Sequence, residues 1–228
     1  MIDRIMREIP RFFSASNVDF LIEAAGRTLL LSVAGCTIGF LLGLLLVVIR
    51  RTSHPALLPL RTLAIGYTEV FRRIPFLVIL FLVLFAIQAV APRASLFTIA
   101  LIGVCIVSTA FLSEIIRAGF ESVPRQQVDA AEVMNFSYLQ ILFLVVAPQA
   151  WRVILPPAFA FMVMFIKDTA LASQMGVVEL TFAGKVLSNK GFSATLTFGA
   201  ILLAYFILSY PLTRLGRYLE HKLGSSRN

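Results

Sequence analysis

Residues 28–49 read TLLLSVAGCTIGFLLGLLLVVI, a run of 22 residues without a charged side chain. A helix of about 20 apolar residues crosses the hydrocarbon core of a bilayer. Further uncharged runs of spanning length occupy residues 74–92, 94–113 and 191–213. These runs predict an all-α integral membrane protein whose first span lies at about 26–49.

The composition agrees with a membrane environment. Hydrophobic residues make up 59% of the chain and charged residues 14%, with a mean hydropathy of +0.90, whereas soluble domains are about 45–50% apolar and about 25% charged. A net charge of +8 would suggest a nucleic-acid partner in a soluble protein. Here the basic residues flank apolar runs and act as topology signals, so we expect the lipid bilayer and no nucleic acid as the partner.

Hydropathy does not decide the number of spans between residues 133 and 166, because only Arg152 interrupts this stretch. Five spans with the N-terminus outside place most Lys and Arg residues in the cytoplasm, whereas six spans divide them about equally. Six spans would also require a hairpin at Arg152 that exposes backbone to lipid. We therefore predict five spans, at about 26–49, 74–92, 94–116, 152–173 and 191–213.

These spans form one predicted membrane domain, 24–216, with a cytoplasmic loop at 118–148 and a cytoplasmic tail at 217–228. The segment 1–23 is expected outside, although its arginines count against that side. It has the pattern of an amphipathic interfacial helix with Ile2, Ile5, Ile9 and Phe12/Phe13 on one face. The stretch Leu57–Arg73 carries charges among apolar residues and either lies along the cytoplasmic interface or begins a second span broken near Pro75.

The first span carries glycines at four-residue spacing. Gly35, Gly39 and Gly43 share one helix face, and small residues at this spacing allow a second helix to approach closely in a membrane. The pattern predicts a helix-packing face, although glycine is also common in membrane helices generally.

The stretch 122–148, SVPRQQVDAAEVMNFSYLQILFLVVAP, predicts a short helix, a turn and a second helix. We expect Asp129 and Glu132 in an early turn of the first helix, near the positive end of its dipole. Asn135 tolerates a left-handed backbone and marks the turn. An amphipathic helix here presents one face to a partner and the other to the bundle.

Asp129-Ala130-Ala131, three residues, Asn135, nine residues, and then Val145-x-Ala147-Pro148 resemble a known motif. It is the EAA loop, E-A-A-x3-G-x9-I-x-L-P, of permease subunits of binding-protein-dependent ATP-driven importers. The spacing is kept throughout. Asp replaces Glu, and Asn replaces Gly, which narrows the choice of bend geometry.

Other blocks in the chain are similar to the polar amino acid branch of that family, in the same order, from about residue 26 to 216. They are Arg27-Thr28-Leu29, Tyr67-x-Glu69-x-x-Arg72-x-x-Pro75, Ser113-Glu114-Ile-Ile-Arg117-Ala-Gly119, Pro148-Gln149-Ala150-x-Arg152 and Lys167-Asp168-Thr169-x-Leu-Ala-Ser173. The resemblance implies a five-helix bundle of the type I, MetI-like importer fold.

The resemblance also implies partners and a membrane. Two permease subunits enclose the path in a bacterial inner membrane, N-terminus outside and C-terminus inside, and an extracytoplasmic binding protein delivers the solute. Two cytoplasmic ATPase subunits carry the ATP and Mg²⁺, so this chain is expected to bind no cofactor or metal and to hold no catalytic residue. The ATPase-coupling residues it implies are Asp129, Ala130, Ala131, Glu132, Asn135 and Phe136.

Ionisable groups at membrane depth are candidates for contact with the solute. Lys167 and Asp168 lie between uncharged runs, and Asp168, Thr169 and Ser173 form a set that suits an amino acid zwitterion. Arg72 is a candidate for binding a carboxylate. The alternatives are that Lys167 and Asp168 pair with protein groups and that Arg72 anchors a cytoplasmic end. Glu114 and Arg117 are expected to form only a local pair.

The expected path wall is unusually apolar. Ile79 and Ala160-Phe161 stand where members of the resembling family often carry polar residues. This favours a heterodimer, in which a second permease supplies the specific contacts, over a homodimer that carries a solute with an apolar part. A separate alternative is a stand-alone secondary transporter coupled to an ion gradient at Lys167 and Asp168, which would predict an inverted internal repeat.

Overall fold

The computed structural model describes residues 2–52 and 54–224, and all regular secondary structure in these residues is helical. The prediction of an all-α membrane protein is therefore confirmed. The principal helices are α1 (Ile2–Phe12), α2 (Ala15–Arg51), α3 (Leu58–Phe71), α4 (Phe76–Val90), α5 (Leu96–Glu121), α6 (Arg125–Val133), α7 (Tyr138–Gln140), α8 (Ala147–Asp168), α9 (Leu180–Asn189) and α10 (Ala194–Gly224).

Within the described ranges, four helices have the length and composition of a membrane span. They are Ala15–Arg51, Leu96–Glu121, Tyr138–Met175 and Ala194–Lys222. The helices α3 and α4 give a fifth span if they are counted together, but they are bent by 117° with respect to each other. The bend falls at residues 72–75, where Pro75 caps α4 and cannot continue a helix.

The stretch that hydropathy left undecided is one continuous run of helix, Tyr138–Met175. It begins with α7, continues through a π-helical segment, Ile141–Val146, and α8, and ends in a 3₁₀ segment, Thr169–Met175. There is no hairpin at Arg152, which lies inside α8. A six-span arrangement with a turn at this residue does not occur.

The central helix is α5, which packs against α2, α3, α4 and α8. Its buried side chains include Ile99, Val104, Leu112 and Ile116. They belong to separate apolar clusters along the helix, so α5 contributes to the bundle over its whole length.

The three glycines of α2 lie on the face that contacts α5. A Cβ atom at Gly43 would lie 2.9 Å from the backbone nitrogen of Ser113, and one at Gly39 would lie 2.9 Å from the backbone nitrogen of Thr109. At Gly35 the added atom would overlap Val104. Side chains at these positions would push the two helices apart.

A hydrogen bond joins the same two helices. The Ser108 hydroxyl of α5 donates to the backbone carbonyl of Gly35 in α2, at 2.9 Å. This bond is buried, and it requires the two helices to lie as close together as the glycines allow.

We expect Gly39→Ala to destabilise the chain by about 1–3 kcal/mol, the typical cost of overpacking a close contact. The measurement is the thermal unfolding midpoint of the purified chain in detergent. Gly199→Ala is the matched control, since Gly199 is also helical and a Cβ atom added there meets no atom within 4 Å. The control should unfold at the wild-type temperature or higher, and a Gly39→Ala midpoint as high as that of the control contradicts the prediction.

Candidate functional site

The short helix α6 lies outside the apolar bundle and is the most distinctive feature of the loop between two long helices. It begins at Arg125, directly after the cap residue Pro124, and ends at Val133. Asp129 is therefore in the middle of the helix and Glu132 in its last turn. The expectation that both carboxylates occupy an early turn was wrong, because the helix starts directly after Pro124, a full turn before Asp129.

A sharp turn follows α6, and it depends on Asn135. This residue has a φ of 61°, so the left-handed conformation expected from the sequence is confirmed. The turn is closed by two backbone hydrogen bonds: the amide of Asn135 donates to Glu132 at 2.9 Å, and the amide of Phe136 donates to Ala131 at 3.1 Å. Ser137 then caps α7 in a reciprocal capping box with Gln140.

The two sides of α6 face different surroundings. Ala131 is 5% exposed and packs in an apolar cluster with Phe120, Ile141 and Leu142, and Phe136 packs against the same cluster. The outward side carries exposed Asp129, Ala130, Glu132 and Asn135, together with Val133 at 88% and Met134 at 69% exposure. Of the six coupling residues expected from the sequence, four are thus available to a partner and two hold the helix to the bundle.

A second polar group is centred on Glu114 of α5. One carboxylate oxygen accepts from Arg50 of α2 at 2.5 Å, and the other accepts from Arg117 at 2.9 Å. Arg72, at the bend between α3 and α4, lies 3.6 Å from the same carboxylate and over the ring of Phe111 at 5.7 Å. The expectation of only a local pair with Arg117 was too narrow.

Side chains from α2, from α5 and from the bend between α3 and α4 therefore meet at one carboxylate, whose side chain is 14% exposed. The side chain of Arg50 is 15% exposed. Sequence reasoning missed this role because Arg50 lies 64 positions before Glu114, and helix periodicity predicts only partners three or four residues away. The structure places Arg72 beside a protein carboxylate.

The four polar residues expected at the end of the fourth span do not share one pocket. Lys167 is exposed and lines a cavity of about 290 Å³ with Arg217 and Glu220 of α10. Thr169 is fully buried, and its hydroxyl donates to the carbonyl of Ile166 at 2.7 Å.

Asp168 and Ser173 have different surroundings again. Asp168 is half-buried and accepts no hydrogen bond from any residue that the structure describes. The hydroxyl of Ser173 accepts from the ammonium of Lys185 of α9, at 3.1 Å. Asp168 is the sole carboxylate among these four residues, and the ammonium of the adjacent Lys167 is the charge that acts on it.

Glu179 is a polar residue that sequence reasoning did not single out. It is fully buried at the start of α9, where it accepts from the amide of Phe182 and the hydroxyl of Tyr205, both at 2.7 Å. Burial raises the pKa of this carboxyl above its usual value, although these donors and Lys185 oppose the rise. Its two donors make it an anchor between α9 and α10.

The interior that contains Ile79 and Phe161 is apolar. Ile79 is 1% and Phe161 is 7% exposed, and both lie in one cluster with Phe165. A cavity of about 210 Å³ between α2 and α8 is lined mainly by apolar residues, among them Phe40, Trp151 and Met162. In the part of the chain that the structure describes, no three His, Cys, Asp or Glu side chains are grouped to hold a metal ion.

Comparisons with known proteins agree on one group. The model of the family described as the binding-protein-dependent transport system inner membrane component matches residues 35–225. A probable glutamine ABC transporter permease protein GlnP of Bacillus subtilis (strain 168) is 30% identical over 211 residues, which is 91% of this chain and 95% of that protein.

Two solved structures share the fold. The crystal structure of an amino acid ABC transporter with histidines superposes with a TM-score of 0.82 at 26% identity, over 90% of this chain and 94% of that one. A structure of inward-facing conformations of the MetNI methionine ABC transporter gives a TM-score of 0.80 at 19% identity, over 92% and 99% of the two chains.

We expect Glu114→Gln to lower the stability of the chain by about 2 kcal/mol, because two guanidinium groups lose a charged hydrogen-bond acceptor and a third loses its counter-charge. Glu121→Gln is the control, since Glu121 is 57% exposed and Arg117 is its one ion-pair partner among the described residues; exposed pairs contribute about 0–1 kcal/mol. Thermal unfolding in detergent measures both. Equal midpoints for the two variants would show that the cluster around Glu114 is not a stabilising centre.

We expect Asn135→Gly to keep the turn and Asn135→Val to distort it, since a β-branched residue strongly disfavours positive φ. The measurement is limited proteolysis of the purified chain with trypsin, with the cleavage rate after Arg125 as the readout. The valine variant should be cut several-fold faster than wild type and the glycine variant at about the wild-type rate. Identical rates for the two variants would remove the requirement for a left-handed residue.

Proposed function

Because the chain belongs to the family of inner-membrane components of binding-protein-dependent transport systems, we propose that it is the permease subunit of an ATP-driven importer of polar amino acids. Membership rests on the match over residues 35–225 and makes the chain a transport component rather than an enzyme. The solute class is supported by the relatives, one named as a probable glutamine permease and one solved as an amino acid transporter.

The observation that carries the coupling role is the two-sided α6. Val133 and Met134 are large apolar side chains that stand 88% and 69% exposed beside the carboxylates of Asp129 and Glu132. Exposed apolar side chains with a polar surround are typical of protein interaction sites. We infer that this surface, Asp129, Ala130, Glu132, Val133, Met134 and Asn135, docks into the ATPase subunit.

The inner side of α6 suits the transmission of force. Ala131 contacts the same apolar cluster as Phe120 at the end of α5 and Ile141 before α8. A displacement of α6 is therefore passed to two membrane-spanning helices at once. ATP-driven closure of the ATPase dimer would move the docked helix and rotate the bundle as a nearly rigid body, as in other alternating-access transporters.

The remaining parts of the assembly follow from this role. Two cytoplasmic ATPase subunits supply ATP and Mg²⁺, and an extracytoplasmic binding protein delivers the solute. The chain lies in a bacterial inner membrane with its N-terminus outside and its C-terminus inside. The apolar surroundings of Ile79 and Phe161 support a heterodimer, in which a second permease contributes the polar contacts to the solute.

Asp168 is the residue of this chain that we propose to contact the solute. No described residue donates a hydrogen bond to its half-buried carboxylate. The ammonium group of an amino acid is a hydrogen-bond donor of opposite charge. Ser173 is 4% exposed and its hydroxyl already accepts from Lys185, so it is less suited to this role. Lys167 and Arg72 contact or face other protein groups, which leaves them less suited to this role, and the hydroxyl of Thr169 is bonded within its own helix.

The coupling role predicts the effect of Val133→Glu in the complete importer reconstituted in liposomes with its ATPase and binding protein. A carboxylate in the apolar centre of the docking surface should lower ATP-driven amino acid uptake at least about tenfold, since burying an unpaired charge costs well over 1.4 kcal/mol. Uptake of radiolabelled glutamine, together with the amount of ATPase retained by the tagged chain, measures the effect.

Tyr218→Glu is the matched control. Tyr218 is 59% exposed, and it lies beyond the last predicted span and outside the docking surface on α6. The control should transport normally. Equal uptake by the two variants would remove the docking role, and uptake that needs an ion gradient but no ATPase would replace the proposal with a secondary transporter.

A further inference from the structure

We propose that the chain binds the phosphate group of an acidic phospholipid in a basic cavity between α1 and the connection from α9 to α10. This cavity has a volume of about 520 Å³ and is lined by Asp3, Arg4, Arg7, Glu8, Arg11, Lys190, Gly191 and Phe192. It is separate from the docking surface on α6 and from Asp168, and nothing in the proposed transport cycle requires it.

One side of α1 is fixed to the bundle, which makes the cavity a formed feature. The carboxylate of Glu8 accepts from the amide of Ser193 at 2.7 Å and from Arg4 at 2.7 Å. Arg4 also donates to the carbonyl of Gly191 at 3.2 Å. The hydrogen bond from the Ser193 amide lowers the pKa of the Glu8 carboxyl below its usual value, and Arg4 lowers it further. Phe12, fully buried, meets the ring of Phe192 edge to face at 5.2 Å.

Two cations in the cavity are left for a ligand, and a third is weakly held. Arg7 and Arg11 are exposed and one helical turn apart, and their guanidinium groups form no hydrogen bond or ion pair with a residue that the structure describes. The ammonium of Lys190 donates a long hydrogen bond to Asn17 at 3.4 Å and lies over the ring of Phe20, 5.8 Å from its centroid. Only Asp3 opposes this charge, because Glu8 is already paired with Arg4. Guanidinium groups bind phosphate oxygens in a bidentate manner, so the cavity fits a phosphodiester.

The neighbouring surface of α1 indicates a lipid rather than a soluble anion. Next to the cationic face of the helix, Met6 and Phe13 are 65% and 55% exposed, and Pro10 between them is also exposed. Exposed apolar side chains beside arginines are typical of helices that lie in the membrane interface. Acyl chains would cover Met6 and Phe13 while the headgroup occupies the cavity.

The test is native mass spectrometry of the purified full-length chain in detergent with equal amounts of dioleoylphosphatidylglycerol and dioleoylphosphatidylcholine. We expect wild type to retain phosphatidylglycerol preferentially. The double variant Arg7→Gln/Arg11→Gln should bind it about 25-fold more weakly, because each basic residue near an anionic surface contributes about fivefold in affinity. Arg7→Lys/Arg11→Lys keeps the charge and should retain most of the preference.

Arg93→Gln/Arg214→Gln is the control. It removes the same number of charges from two exposed positions outside the cavity, and it should bind the lipid as wild type does. A circular dichroism spectrum typical of a helical protein and a single peak in size-exclusion chromatography establish that each variant is folded. If Arg93→Gln/Arg214→Gln loses as much phosphatidylglycerol binding as Arg7→Gln/Arg11→Gln does, the effect depends on net charge alone and the proposal is overturned.

A further outcome also overturns the proposal. If Arg7→Gln/Arg11→Gln keeps its phosphatidylglycerol but no longer binds the extracytoplasmic solute-binding protein in the reconstituted importer, the cavity is a protein-docking surface. Loss of ATP-driven uptake by Val133→Glu has no bearing on lipid retention, so the two proposals fail independently.

Discussion

The close contact between α2 and α5 is the constraint on which the rest of the bundle depends. Inside a bilayer, apolar burial provides little drive for helices to associate, and dispersion between well-fitted surfaces has to hold them together. The glycines of α2 allow the two backbones to meet at Ser113 and Thr109. With α2 fixed along α5, Arg50 reaches Glu114, and that pair in turn positions Arg72 at the bend between α3 and α4. Helix packing thus determines where the polar groups lie.

Local sequence features predicted the parts of this structure that depend on local physics. The spacing of Gly35, Gly39 and Gly43 indicated a packing face, uncharged runs indicated helices, and Asn135 indicated a left-handed turn, because each signal acts within a few residues. The start of α6 was misplaced, because Pro124 rather than the carboxylates determines where its first turn begins. The cluster at Glu114 and the anchor at Glu179 were missed because their partners come from distant segments, and no periodicity encodes such pairs.

The polar residues near the end of α8 show why a motif does not define a pocket. Lys167, Asp168, Thr169 and Ser173 fall within seven residues of sequence, yet the helix turns them toward different surroundings. A helix distributes neighbours around its axis at about 100° each, so residues adjacent in the chain contact different elements. The polar groups left unpaired therefore depend on the neighbouring elements, and among these four residues the hydroxyls of Thr169 and Ser173 are already bonded.

The π-helical segment Ile141–Val146 joins the α6 turn to the membrane-spanning part of the helix. Its hydrogen bonds run from each amide to the carbonyl five residues earlier, as the amide of Ala147 does to Leu142, so it contains one residue more than an α-helix of the same number of turns. Such a segment has the geometry of a one-residue insertion into an ancestral α-helix. Loss of that residue would rotate α6 by about 100° relative to the membrane-spanning part of the helix, so the direction in which α6 presents its exposed side depends on a single residue of this segment.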